Sequence, residues 1–385
     1  MPSIPRQVQV KPFMIVTFAS AWSASNGGIN AFNFELSRAL AKSTKQPLFC
    51  AVTDPSLEEI ALAEKDGVTL IKVKATPDGK PSPDCADNII EALSGGNGTV
   101  QLWVGHDLIS GDAAVRAAST HGGRLALVHH MDYLSYQNIS GDRGDHTYDN
   151  YERQMKLFRT EEATLFGVGS WLTDNASRLG NRRAHCLVPG FPNISGSQHR
   201  VSTDRLMVVS AGRFDEKAEP LKQISSALDG FALALRHSTS FPMLQSATMS
   251  ILGVDGTEDQ KALHARAEEL AGRPVNIVPA GFRNDPTAVA RLASTSHLVV
   301  VPSRHEGFGL VGWEAIGTET PLIIGSNTGL AHLLRKTLDG REAGLVSIVK
   351  FDGSDQDRER ISEAIQNVAR DLSTALRRAS TLREL

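Results

Sequence analysis

The sequence predicts an α/β protein built on parallel sheets covered by helices. Short apolar runs of strand length recur down the chain and alternate with segments of helical periodicity, the order that builds a parallel sheet. The alternation runs a second time after Pro189-Gly-Phe-Pro-Asn-Ile-Ser-Gly-Ser-Gln198. That Pro/Gly/Ser-rich stretch has the composition of a linker. With 385 residues, the chain has the length of two ordinary domains, divided as 1–193 and 194–385.

In the first half the strand candidates are Phe13–Phe18, Leu48–Val52 and residues 69–73, 100–104, 125–129 and 165–168. Their apolar, β-branched composition suits strands buried on both faces. Gly27 and Gly28 close a loop after the first strand, and a helical pattern covers 31–41. Further helical patterns cover 56–65 and 112–121. In the second half, strands are expected at 206–210 and 247–252, an extended segment at 275–278, and strands at Leu298–Val301 and 322–324. Helices are expected at 220–236, 260–271 and 287–294. Residues 133–150 read as a long polar loop, consistent with a mobile lid on the acceptor side. No repeat of solenoid period is present.

Composition excludes several classes. A hydrophobic share of 41% and a charged share of 22% describe a soluble globular chain. No apolar run approaches the roughly 18 residues of a membrane span, and the start lacks the apolar core of a secretory signal. A net charge of -3 gives no bulk attraction to nucleic acid. Cys50, Cys85 and Cys186 are far apart and lack metal-ligand spacing, so they read as buried thiols in a reducing cytoplasm. The Asn-x-Ser/Thr triplets at Asn97, Asn138, Asn175 and Asn193 then read as chance. No Asp-x-Asp pair ends a strand and no His/Cys cluster has metal spacing.

The informative segment is Val301-Pro-Ser-Arg-His-Glu-Gly-Phe-Gly-Leu-Val-Gly-Trp-Glu-Ala-Ile-Gly317. It places Glu306 and Glu314 after the carboxyl end of an apolar strand, where open α/β sheets bind ligands. Carboxylates accept paired hydroxyl hydrogen bonds, so ribose and sugar hydroxyls are natural partners. The glycines let backbone N–H groups approach a ligand closely, and Gly309 and Leu310 begin a helix whose N–H groups favour an anion. A glycosidase would need its two carboxyls facing across one glycosidic bond, which a turn residue and a helix residue in this spacing do not offer.

Glu, Gly-Phe-Gly-Leu, Glu with seven residues between the acids, followed by Ala-x-Gly-x-x-x-Pro-Leu, resembles the signature of retaining GT-B glycosyltransferases, family 4. The resemblance covers most of the chain and is strongest over 206–324. It implies two Rossmann-like domains facing each other across a cleft, with an N-terminal acceptor side and a C-terminal donor side. It also implies transfer of a sugar from a nucleotide-diphosphate sugar, UDP- or GDP-linked, to a carbohydrate or other hydroxyl acceptor, with retained anomeric configuration. Neither cofactor nor metal is implied, because Arg and Lys stabilise the leaving diphosphate.

Residue by residue, Arg213 in Ala211-Gly-Arg213 matches the family arginine. Lys222 matches the family lysine, with Lys217 as a second candidate. Glu314 would hold ribose and Glu306 the donor sugar, with Gly307, Phe308, Gly309 and Leu310 lining sugar and diphosphate. Gly27 and Gly28 match the family's glycine loop. A His at the end of strand 125–129 would face the reacting sugar: His129 on the following aromatic and acidic positions, His130 as the alternative. His106-Asp107 ends the preceding strand and would line the acceptor side. His332 stands near a position where relatives carry an acid. The family closes with a helix that crosses back onto the first domain. The charged stretch 371–385 has no aromatic residue to anchor such a crossing, so the expectation is either a chain that ends early or one part of a longer multidomain protein. Two other readings stay open: a nucleotide-sugar-binding sensor or scaffold, and a nucleotide-sugar epimerase.

Overall fold

The computed structural model describes residues 13–22, 27–93, 99–140, 146–191, 204–216, 218–236, 241–281, 285, 287–340 and 342–385. The chain divides into two compact units. The first comprises Met1–His130, Glu152–Phe166 and Ala176–His185, and the second Met131–Tyr151, Gly167–Asn175 and Cys186–Leu385. Residue 193, the expected boundary, and Lys217 lie outside the described residues.

The first half runs β1 (Phe13–Phe18), α1 (Gly28–Thr44), β2 (Leu48–Val52), α2 (Leu57–Lys65), β3 (Val68–Lys72), α3 (Ala86–Leu93), β4 (Thr99–His106), α4 (Asp107–His121) and β5 (Arg124–His129). It continues with α5 (Tyr133–Ser140), α6 (His146–Phe158), β6 (Ala163–Val168), α7 (Gly169–Gly180) and β7 (His185–Leu187). The sheet order is β3-β2-β1-β4-β5-β6-β7, the doubly wound order, whose direction reverses between β1 and β4. Ile15 lies opposite Leu48 on one side and Leu102 on the other, both in parallel register. Trp22, Trp103 and Phe158 are fully buried, and burying an apolar side chain of this kind contributes roughly 1.5–3 kcal/mol.

The second half runs β8 (Met207–Ala211), α8 (Glu219–Lys222), α9 (Ile224–Arg236), α10 (Pro242–Gln245), β9 (Thr248–Leu252), α11 (Thr257–Ala271), β10 (Asn276–Ala280), α12 (Ala288–Ser294) and β11 (Leu298–Val301). Then come α13 (Leu310–Gly317), β12 (Leu322–Gly325), α14 (Gly329–Thr337), β13 (Ser347–Val349), α15 (Gln356–Arg370) and α16 (Leu372–Glu384). The order β10-β9-β8-β11-β12-β13 repeats the same winding, with its reversal between β8 and β11. The core beneath it is Leu206, Phe231, Met249, Ile251, Val300, Ile323 and Ile361.

Three expectations are corrected. The described residues of 133–150 form helices, α5 and the start of α6, where a loop was expected. Polar residues cover the outer face of α6, while Gln154, Leu157 and Phe158 are buried at helical spacing, so polarity masked an amphipathic helix. The helix expected over 220–236 is two helices, because Gln223 adopts φ 51°, ψ 42°. Glu219 stabilises the break by accepting the Ser225 N–H at 2.8 Å, which satisfies one donor at the start of α9. Cys186 is exposed, unlike Cys50 and Cys85. The C-terminal helix α16 contacts α13 within the second unit, its Leu372, Ala379 and Leu382 are buried, and Ser380 and Arg383 both bond Glu319.

Candidate functional site

The reversal point of the second sheet carries the predicted acids. All four residues of β11 are buried, and Pro302 ends the strand because it has no N–H to donate. The loop that follows is tied on two sides. Arg304 donates its backbone N–H to the Leu221 carbonyl at 2.8 Å, joining the loop to α8. Gly329 donates to the Glu306 carbonyl at 3.0 Å and Leu330 to the Phe308 carbonyl at 2.6 Å, joining it to the start of α14. The second approach requires a glycine, since a Cβ at Gly329 would overlap the Gly307 carbonyl oxygen.

Within this frame Glu306 and Lys222 form an ion pair through Oε1, and Ser303 Oγ donates to the same oxygen at 2.9 Å. The Glu306 side chain is only 9% exposed and Lys222 27%. A carboxylate this buried needs a cation or several donors, and the one-turn helix α8 delivers one. Gly309 caps α13 at φ 106° and lies against the other carboxylate oxygen of Glu306. Glu314 is half-buried one turn into α13. Gly307 is half-buried and Phe308 buried. The Phe308 ring meets Trp313 edge-on at 5.6 Å and lies over Gly169, where a Cβ would fall 2.6 Å from Cδ2.

Arg213 follows β8 across the reversal point from β11. Its side chain is 71% exposed, with Nε 3.5 Å from Asp215 Oδ2. His305, which sequence reasoning passed over, is buried beside Glu306. Burial holds its imidazole below the ordinary value, and the Lys222 charge adds to this against the opposing pull of Asp132 and Glu306. His332 packs edge-on against Trp171, ring centroids 5.3 Å apart.

The first unit presents a second polar cluster at the carboxyl ends of β4 and β5. Asp107 is fully buried and takes φ 40°. It accepts from His129 Nδ1 at 2.9 Å, from the His130 backbone N–H at 2.5 Å and from Gln154 Nε2 at 2.9 Å. Burial acts to raise its pKa, but the charge and hydrogen bonds of His129 and His130 hold it below the ordinary carboxylate value. His129 is fully buried against Phe158. His130 is half-buried, and its Nε2 lies 2.9 Å from His106 Nδ1. Burial pushes His130 down to about 4, helped by His129 and opposed by Asp107. Gly27, at φ 98°, and Gly28 are exposed at the start of α1.

The structure therefore brings Lys222, Glu306, Gly307, Phe308, Gly309 and Leu310 together and places Arg213 and Glu314 on neighbouring elements of the same unit. Gly27, Gly28, His129 and His130 belong to the first unit. Ser303 was legible only as context of the motif. Asn33 and Gln154 carried no local signal beyond a polar residue on an otherwise apolar helix face. Among the described residues no group of three or more His, Cys, Asp or Glu is placed to hold a metal ion, and no helix is long and apolar enough to cross a membrane.

Comparison with known proteins agrees with this fold. The profile of a family described as "Family 4 Glycosyltransferase in conflict systems" matches residues 16–385. The chain is 28% identical over 358 residues to a D-inositol 3-phosphate glycosyltransferase of Nocardioides sp., covering 83% of this chain and 74% of that one. It is 26% identical over 345 residues to a D-inositol 3-phosphate glycosyltransferase of Jonesia denitrificans, covering 80% and 77%. Among solved structures, Anabaena HepE in complex with UDP and glucose superposes with a TM-score of 0.68 at 17% identity, over 97% of this chain and 94% of that one. The sucrose-phosphate synthase of Thermosynechococcus elongatus gives 0.66 at 16% identity, over 97% and 93%. These structures share the GT-B fold. The chain belongs to the family 4 glycosyltransferases found in conflict systems, and it is a glycosyltransferase enzyme.

Proposed function

We propose that the protein transfers a hexose from a UDP- or GDP-linked sugar to a hydroxyl acceptor, with retention and without a metal ion. The observation that carries this reading is the Lys222–Glu306 pair held on the Gly-Phe-Gly turn. It sets a cation for departing phosphate beside a carboxylate for sugar hydroxyls, at the sheet position where nucleotides bind. Arg213 and Lys222 stabilise the charge that builds on the leaving diphosphate. Glu314 holds the ribose. Glu306 and the backbone of Gly307, Phe308 and Gly309 hold the sugar, and the N–H groups at Leu310 face phosphate oxygen. Gly27 and Gly28 contribute backbone contacts in the first unit.

His130, rather than His129, is the proposed sugar contact at the end of β5, because the His129 ring is buried and engaged with Asp107. The route is front-face. The acceptor hydroxyl bonds to the anomeric carbon as the C–O bond to phosphate breaks, and the departing phosphate takes the hydroxyl proton. The protein then contributes positioning and charge stabilisation. A thermal-shift screen against UDP, GDP, ADP and their sugar conjugates tests the reading, because a ligand of the folded state raises the melting temperature. The expected result is a selective shift lost in Glu314→Ala, with release of free nucleotide in EDTA. No shift with any nucleotide, release only with added metal, or conversion to another nucleotide sugar would each overturn it.

A further inference from the structure

We propose that Asn33 and His106 are positioning residues that lock the ring of His130 in a single tautomer. The ring then presents Nδ1 as a hydrogen-bond acceptor and takes a substrate hydroxyl rather than an anion. This rests on the reading of His130 as a substrate contact.

One hydrogen-bonded line runs through the first unit. Asn33 is fully buried on α1. Its Nδ2 lies 3.3 Å from the Sγ of Cys50, a buried thiol pushed up to about 11 and so protonated at neutral pH. Its Oδ1 lies 2.9 Å from His106 Nε2. A carbonyl oxygen can only accept, so Nε2 of His106 carries the hydrogen. His106 is fully buried, where an uncompensated charge is costly, so the ring is neutral and Nδ1 bears a lone pair. That nitrogen lies 2.9 Å from His130 Nε2, so His130 must donate from Nε2. The remaining nitrogen of a neutral His130, Nδ1, is then an acceptor.

The line is held from both sides. Ser110 accepts the His106 N–H at 3.0 Å and donates to the Phe18 carbonyl at 2.9 Å. Phe32 meets both rings edge-on, at 6.2 Å from His106 and 4.9 Å from His130. Asp107 holds the His130 backbone N–H. The opposite polarity would turn the amide of Asn33 so that its carbonyl met the thiol, a weak donor, and its NH₂ met His106. It would leave His130 with Nδ1–H, a donor suited to phosphate.

The test is the ring tautomer. The full chain labelled with ¹⁵N-histidine, free of substrate, is recorded by multiple-bond ¹H–¹⁵N correlation at neutral pH. Signals are assigned by their loss in His106→Gln and His130→Gln. Both rings are expected as the Nε2–H form. Asn33→Asp keeps the acceptor oxygen and is expected to keep both tautomers. Asn33→Leu removes it and is expected to give mixed tautomers at His130 and to raise the KM of the sugar substrate roughly fivefold to tenfold, with kcat less affected. An Nδ1–H form of His130 in the wild-type chain overturns the proposal even if Asn33→Leu does not fold. Unchanged tautomers in a folded Asn33→Leu overturn it as well. Because the spectra need no substrate, failure of the glycosyl-transfer reading appears separately, as absent nucleotide binding.

Discussion

Lys222 and Glu306, 84 residues apart in sequence, form one ion pair, with Ser303 donating to the same carboxylate oxygen. The pair converts a one-turn helix and a strand-end loop into a single neutral element of the second unit. Replacing Lys222 by Met strands a carboxylate that is 9% exposed. The expected cost is about 1–3 kcal/mol in denaturant unfolding. Catalysis is expected to lose about 10²–10³ in kcat, the usual effect of removing one transition-state donor. The double variant Lys222→Met/Glu306→Gln should recover part of the stability and none of the activity. Equal instability of the single and double variants would mean that the pair contributes nothing to folding.

Arg213 should behave oppositely. Its side chain is largely exposed and its ion pair with Asp215 is long, so Arg213→Ala should change stability by no more than about 0.5 kcal/mol. Calorimetric affinity for the cognate nucleoside diphosphate should fall about tenfold to a hundredfold, as for loss of a charged hydrogen bond. Unchanged affinity would remove Arg213 from the diphosphate contact.

Two glycines set the acidic turn in place. Gly169→Ala places a methyl against the Phe308 ring at a residue with φ 76°. Gly329→Ala drives one into the Gly307 carbonyl. Overpacking of this kind costs about 1–3 kcal/mol, and both variants should melt earlier and bind nucleotide more weakly. Gly340, where a Cβ meets nothing within 4 Å, is the control: Gly340→Ala should be near neutral.

Stability should fall as pH drops from about 6.5, the ordinary value for histidine, to about 4, the folded-state value of His130. The folded chain resists protonating His130, so the unfolded chain binds the extra proton across that window and is favoured. Buried His106 acts in the same direction. Asp107, held below its ordinary value, adds a further loss at lower pH as its carboxylate protonates. Melting temperatures from pH 8 to pH 4 should show the decline, and His130→Gln should flatten it. A flat wild-type profile would mean that these histidines titrate as they do in the unfolded chain.

Much was legible in the sequence because it was local. The runs at Phe13–Phe18, Leu48–Val52 and Leu298–Val301 are apolar on both faces and became strands with those bounds. The acidic motif declared a strand-end turn through Pro302, Gly307 and Gly309, and Gly309 does cap α13 at positive φ. What misled was polarity without a visible period, as in α5 and α6, and a helical pattern interrupted by a single left-handed residue, Gln223.

The order of strands and helices, the glycine turn and the candidate residue types were thus set by short-range rules: side-chain periodicity, proline's missing N–H and glycine's freedom at positive φ. Only the tertiary structure decided which lysine meets Glu306, that the ring of His129 turns inward to Asp107 while that of His130 meets His106, and that Asn33 stands behind them. Those choices come from buried polar groups finding partners on distant strands and helices. Desolvation makes an unpaired buried group costly, and no local pattern records where the partner will come from.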